Sequence, residues 1–356
     1  MITKTLLAMS GGVDSSVAAY LLKSEGHDII GAMMKLYQDE NEDVNVNNRG
    51  CCALTDAEDA RSVATSMNIP FFVFNFTDTF GIEVIDRFVK AYQQGRTPNP
   101  CIDCNRFMKF ERFLHRATEL DCSHIATGHY ARIEKHHNRY LLKTGLDLIK
   151  DQSYVLYAMT QAQLSRTLLP LGNLTKDEVR TIAQGQGFIN AKKRDSQDIC
   201  FAPDGNYTGF IERYTNTSIK KGNFINKNKQ VLGEHKGIIN YTIGQRKGLG
   251  LSSPHPLFVL NLNPTDNTVM LGQSEDLFSK TLTADDINLI PMDIITDKIR
   301  VQAKIRYAHT AAPAMLWQTS ENTIHVEFDM PQRAISPGQA VVLYDGEVVI
   351  GGGTIQ

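Results

Sequence analysis

No stretch of this chain approaches the roughly 18 consecutive apolar residues needed to cross a bilayer, so a membrane-spanning helix is not expected. Neither charge dominates. The formal net charge is −2, which argues against a general polyanion binder and leaves room for local basic patches. There is no internal repeat and no strong low-complexity segment. The opening MITKTLLAMSGG has one lysine and a short apolar stretch that runs into glycines and an aspartate. It reads as a first strand and not as a leader peptide. The expected location is therefore cytoplasmic, where thiols stay reduced. Structural disulfides are then not expected, and six cysteines call for another account: Cys51, Cys52, Cys101, Cys104, Cys122 and Cys200. Catalysis and metal binding are the two uses that such a compartment favours.

At 356 residues, with 42% hydrophobic and 21% charged residues, the composition is globular and long enough for two or three domains. Up to about residue 200, apolar strand-like runs alternate with helical patterns. TLLAM is followed by a glycine turn. SSVAAYLLKSEG then puts Val17, Ala18, Leu21 and Leu22 on one helical face, with Gly26 as a stop. DIIGAMMKLY and IPFFVFNF read as further strands, and LTDAEDARSVATSMN and the stretch from about Thr79 to Gln94 as helices. A loop with two cysteines follows, then a helix in FMKFERFLHRATEL and one strand in HIATGHYARI. Such alternation predicts a parallel sheet covered on both faces, an α/β fold. Beyond residue 205 the pattern becomes short strands with Gly and Asn turns, then alternating strands with a hairpin signal at Asp345-Gly346. The expected domains are 1–205, a small β-rich central domain at 206–278, and a C-terminal antiparallel β-barrel at 279–356. The polar, Asn-rich stretch 38–50 reads as a loop.

AMSGGVDSS, residues 8 to 16, joins the first strand to the first helix. Gly11 and Gly12 allow a tight turn that exposes N–H groups, and the helix adds its N-terminal dipole, so the turn is an anion cradle. Ser10, Ser15 and Ser16 add hydroxyl donors. The lysine of the common GxxxxGK[ST] phosphate loop is missing. Asp14 is out of place beside phosphates unless a metal or a lysine offsets its charge; Mg²⁺ would do so. Asp14 or Ser15 as a mere helix N-cap is the plainer alternative.

SGGVDS resembles the pyrophosphate-binding loop of the N-type ATP pyrophosphatases. With GRTPNPCIDCN, ATGHYAR, KDQSYVLY, AKKRDSQDICF and YTIGQRKGLG in that order, nearly the whole chain resembles the bacterial tRNA-uridine 2-sulfurtransferase family. The resemblance implies an adenine nucleotide α-hydrolase-like, Rossmann-like N-terminal domain, and 2-thiolation of the wobble uridine of tRNA. ATP would be held by Ala8, Met9, Ser10, Gly11, Gly12, Val13, Asp14 and Ser15, with Met34 and Gly128. Asp14 is also a catalytic candidate, through Mg²⁺ or loop order. The family pattern makes Cys104 the nucleophile and Cys200 the persulfide carrier, joined in a transient disulfide. The chemistry agrees: adenylation turns a poor oxide leaving group into AMP, and two thiols split the sulfur transfer. Lys192, Lys193, Arg194 and Arg106 would favour thiolates.

By the same resemblance, Asn99, Pro100 and Cys101 face the target base, which must leave its stack. His129, Lys150, Asp151, Gln152, Arg306, Tyr307 and Gln339 contact tRNA. Many relatives carry Asp in place of Cys101. Cys101, Cys104 and Cys200 are therefore also a candidate iron–sulfur ligand set, a reading less favoured than the persulfide one. Cys122 reads as a small core residue, and Cys51 and Cys52 as structural or incidental, with a zinc site shared with Cys101 and Cys104 as the lesser alternative. The expected partners are a tRNA with a wobble uridine and an upstream persulfide donor protein, with no membrane. Two other functions compete: an ATP-dependent amide ligase with the same loop, and a non-catalytic RNA-binding protein.

Overall fold

Leu6 and Leu7 point to opposite faces of one strand, and both are fully buried, as the central strand of a covered parallel sheet requires. The computed structural model describes residues 3–37, 54–193, 199–202 and 205–356. The stretch 38–50, Cys51, Cys52 and Arg194 lie outside the described residues. The chain forms two compact units.

The first unit comprises 1–84, 101–205 and 347–349. Its central strand β1 (Lys4–Ala8) pairs in parallel with β2 (Asp28–Lys35) on one side and β4 (His124–Ala126) on the other. With β3 (Phe71–Asn75) and β7 (Thr167–Leu168) the sheet has the order β3-β2-β1-β4-β7. Successive strands leave β1 in one direction and then the other. The crevice beyond the C-terminal ends of β1 and β4 is thus the topological switch point, where such sheets hold ligands. Helices α1 (Val13–Ser24) and α2 (Leu54–Ser66) share a core with the sheet. Val17, Ala18 and Leu22 of α1 pack there with Leu7, Ile29 and Ala126, and with Val179 and Ala183 of the helix Lys176–Gly185. Gly26, at φ +85°, ends the first helix as expected.

Two expectations are corrected. HIATGHYARI is not one strand: β4 stops at Ala126, and β5 (Ala131–His136) begins a hairpin with β6 (Arg139–Thr144). The break at Thr127–Tyr130 brings Gly128 against α1. The cysteine pair is not in a loop either. Pro100 opens a helical turn, Pro100–Asp103, at the position proline tolerates best, and Cys104–Arg112 continues as π-helix into Phe113–Glu119.

The second unit comprises 85–100, 206–346 and 350–356. A helix unsignalled by the strand pattern, Tyr207–Thr215, is capped by the Asn206 side chain and ends at Asn216 in the left-handed region. Strands β8 (Gly222–Ile225), β9 (Val231–His235), β10 (Phe258–Asn263) and β11 (Thr268–Gly272) make a sheet of order β10-β11-β8-β9. The remaining strands are β12 (Phe278–Leu289), β13 (Ile299–Lys304), β14 (Ala312–Ser320), β15 (Thr323–Arg333), β16 (Ala340–Asp345) and β17 (Val348–Ile355). They run β12-β15-β14-β13-β16-β17, and β17 pairs back to β12 from Leu289↔Gly351 to Ala284↔Ile355. The β12–β17 pairing closes these six strands into a barrel, and the sheet runs on from β17 to the β6–β5 hairpin. Inward residues such as Val301, Leu316, Val326, Phe328 and Leu343 fill it. Gly346, at φ +56°, makes the expected turn between β16 and β17.

Candidate nucleotide and thiol site

The turn after β1 needs glycine at one position above all. Gly11 sits at φ +74°, and a Cβ there would collide with the backbone carbonyl of Asp56 in α2. The loop carbonyls are tied inward. Gly12 O accepts from the hydroxyls of Ser15 and Ser16, both at 3.1 Å, and the Ser10 N–H donates to Ser15 Oγ at 3.2 Å. Neither Asp14 nor Ser15 is the N-cap: that residue is Gly12, and no side chain of the described residues caps α1. The first N–H groups of the helix therefore keep the dipole's positive end for an anion. Met9 and Val13 are core residues, Ser10 is exposed, and Ala8 closes β1. Met34 lies in β2 beside Phe74 of β3. A Cβ on Gly128 would stand 3.0 Å from both the Asp14 carbonyl carbon and the Ser15 nitrogen. Loop and strand end thus meet at the switch point.

The lysine absent from the loop comes from elsewhere in the chain. Lys176 Nζ donates to both carboxylate oxygens of Asp14 at 2.8 Å, and the Tyr130 hydroxyl donates to one of them at 2.7 Å. Lys176 is almost completely buried. Its backbone N–H is held by Asp147 Oδ2 at 3.0 Å, which helps to keep the Asp147 carboxyl below its ordinary range. The charge of Asp14 is therefore offset by protein. A Mg²⁺ ion at this carboxylate would have to share oxygens already taken by Lys176 and Tyr130.

Lys193 does not serve a thiolate as the sequence suggested. It bridges Asp56 and Asp59 at 2.6 Å each. Burial opposes its charge, but the two carboxylates outweigh burial and raise its pKa. Arg106 lies over the Phe107 ring at 5.3 Å.

Cys101 is exposed in the first helical turn, and Cys104, three residues on at the start of the π-helical stretch, is buried. Cys200 is half-buried. Its neighbour Phe201 meets Phe80 edge-on at 5.9 Å, and the segment Thr77–Phe80 packs on Cys104–Arg112. Both cysteine segments thus rest on one aromatic support. Cys122 is buried as expected, and burial raises its pKa. Among the described residues, which include Cys101, Cys104 and Cys200, no three His, Cys, Asp or Glu side chains converge to hold a metal ion.

The remaining candidates fall into two groups. In the first unit, His129 is buried, accepts from or donates to Thr127 Oγ1 at 2.7 Å, and is held neutral, first by burial and then by Lys109. Gln152 exchanges hydrogen bonds with the backbone of Tyr130, and Asp151 accepts from Gly145 and Ser153, which fixes the turn carrying Lys150. In the second unit, Gln339 Nε2 donates to Thr97 O at 2.8 Å and Thr97 N–H to Pro337 O at 2.8 Å, so the stretch leading to Asn99 and Pro100 is zipped to 337–339. Arg306 donates to Arg333 O, and Tyr307 is exposed with Lys304 over its ring.

A parallel-sheet domain with a glycine-rich anion loop at its switch point, backed by a buried ammonium, defines a nucleotide-handling class. A family model described as tRNA methyl transferase HUP domain matches residues 3–204; tRNA methyl transferase PRC-barrel domain matches 208–273, and Aminomethyltransferase beta-barrel domain matches 279–355. The chain is 50% identical over 355 residues to the tRNA-specific 2-thiouridylase MnmA of Clostridioides difficile, covering 99% of this chain and 98% of that one. It is 50% identical over 353 residues to the protein of that name from Lachnoclostridium phytofermentans, covering 99% of both. The chain belongs to the tRNA-specific 2-thiouridylase family.

Proposed function

We propose that this protein is an ATP-dependent tRNA-uridine 2-sulfurtransferase that replaces O2 of the wobble uracil with sulfur. The observation that carries this reading is full-length identity of 50% to thiouridylases, in a chain that keeps the anion loop and both thiols. The methyl transfer in the domain descriptions would leave Lys176, Asp14 and the thiol pair without a task. An amide ligase would have no use for the cysteines.

In this reading the loop Ala8–Ser15 takes the β and γ phosphates of ATP, with Met34 and Gly128 at the nucleoside end. Uracil O2 attacks the α-phosphorus, the bond to pyrophosphate breaks, and O2 carries AMP. Lys176 holds Asp14 so that the phosphates meet a neutral pair and not a bare carboxylate. Mg²⁺ would arrive with the phosphates and offset their charge; no step needs a protein-held ion. Cys200 carries a persulfide delivered by an upstream donor protein. Its terminal sulfur attacks C2, the C2–O bond breaks and AMP leaves. The Cys104 thiolate then attacks Cys200 Sγ and breaks its bond to the transferred sulfur, which keeps the electron pair and stays on C2. The disulfide forms, 2-thiouridine departs, and an external thiol reductant restores both cysteines. Asn99, Pro100 and Cys101 border the flipped base. His129, Lys150, Asp151, Gln152, Arg306, Tyr307 and Gln339 hold tRNA or the turns that touch it. Residues 1–205 form the catalytic domain, with 206–278 and 279–356 as central and barrel domains. The test is mass spectrometry of tRNA after incubation with ATP, Mg²⁺ and a persulfide donor. Sulfur at the wobble uridine supports the reading, and unmodified tRNA with active donor refutes it.

A further inference from the structure

The anion loop has a weak point that the chain has braced. Gly11 is followed by Gly12, and two adjacent glycines leave the peptide plane between them free to flip. In a trans peptide the Gly11 carbonyl and the Gly12 N–H point in opposite directions. Whatever holds the carbonyl therefore aims the N–H. Two side chains hold it: Asn190 Nδ2 donates to Gly11 O at 3.0 Å, and Lys193 Nζ at 3.3 Å. Asn190 is 3% exposed, so water does not replace it. Its second amide proton goes to Ser16 Oγ at 2.9 Å, while its Oδ1 has no hydrogen-bond partner among the described residues. Both protons of this amide are thus spent on the loop. Lys193 is fixed in turn by Asp56 and Asp59.

We infer that Asn190 and Lys193 are positioning residues that lock the Gly11–Gly12 peptide with its N–H toward the phosphates of the nucleotide. The inference rests on the reading of this loop as the ATP phosphate site. Lys193 acts through the carbonyl and not as a phosphate ligand, because its ammonium is turned to the protein side of the peptide and shared among three oxygens.

The test is calorimetric titration of the full-length protein with inorganic pyrophosphate and with AMP. Wild type should bind pyrophosphate; if it binds neither probe, the reading of the site falls and this inference with it. Lys193→Met should weaken pyrophosphate about tenfold, the value of one charge-assisted hydrogen bond, and leave AMP within about twofold. Lys193→Arg should restore part of the loss. The variant also leaves Asp56 and Asp59 unpaired near an anion site, so Lys193→Met is repeated in an Asp56→Asn, Asp59→Asn background. Persistence of the loss there supports positioning. Full recovery there means that charge alone was at work and overturns the inference. Asn190→Ala, which touches no charge, should show the same selective loss of pyrophosphate. Equal loss of both probes, or no loss with Lys193→Met, also overturns it.

Discussion

Asp14 shows what a single residue can and cannot announce. Its place after two glycines was plain from the sequence, and so was its need for a compensating charge. The partner was not, because Lys176 lies 162 positions away and the motif KDEVR looks like any helix start. We expect Lys176→Met to lower tRNA-dependent adenylation by at least about a hundredfold, as removal of a preorganised charge at a reacting phosphate does. Lys176→Arg should recover only part, since a planar fork replaces a point charge. Pyrophosphate release in single-turnover assays reads both. At the sulfur end, Cys200→Ser should abolish thiolation and still permit AMP transfer to tRNA, because activation precedes sulfur delivery. Trapping the adenylated tRNA checks this order, and its absence in that variant would contradict it. Lys193 was misread for a local reason: a basic residue near a cysteine in sequence was given to the thiol, whereas Asp56 and Asp59 of α2 claim it.

Among the elements, strands and helices with a clean period were legible, and the interruptions were not. HIATGHYARI has apolar residues at every turn, yet the chain breaks at Gly128 so that the backbone can approach α1. The cysteine pair looked like a loop because Pro98 and Pro100 flank it, but Pro100 suits a first helical turn. The helix Lys176–Gly185 opens with a capping box: Thr175 Oγ1 accepts from Glu178 N–H at 3.3 Å, and Glu178 accepts from Thr175 N–H at 2.7 Å. Thr175→Ala should cost about 1 kcal/mol in denaturant unfolding. Since Lys176 is the next residue, the same change should raise the KM for ATP. A stability loss with unchanged KM would show that the cap does not serve the site.

For the whole molecule, net charge near zero hid where polyanions would be handled, and contacts far apart in sequence carry the site. Four histidines that lose water on folding, His129 and His235 buried and His124 and His309 partly so, give a pH signature. His124, His129, His235 and His309 all have lowered pKa values, in each case first through burial. The unfolded chain takes protons on these groups below about pH 6.5, and the folded one resists them. Their contribution to stability is therefore complete above that pH and is lost as pH falls toward the folded values. Thermal unfolding from pH 7.5 to 5.5 should show a falling midpoint, with a smaller fall in His129→Gln; a flat profile would contradict it. The central claim is that one chain activates uracil with ATP and delivers sulfur through Cys200 and Cys104. It is tested most directly by giving the protein a persulfide donor with labelled sulfur, tRNA and ATP. Digested tRNA is then analysed by mass spectrometry. The account predicts one labelled sulfur in place of one oxygen at the wobble uridine, dependent on ATP and lost in Cys104→Ser and Cys200→Ser. Labelled thiouridine formed without ATP, or undiminished in either cysteine variant, would contradict it.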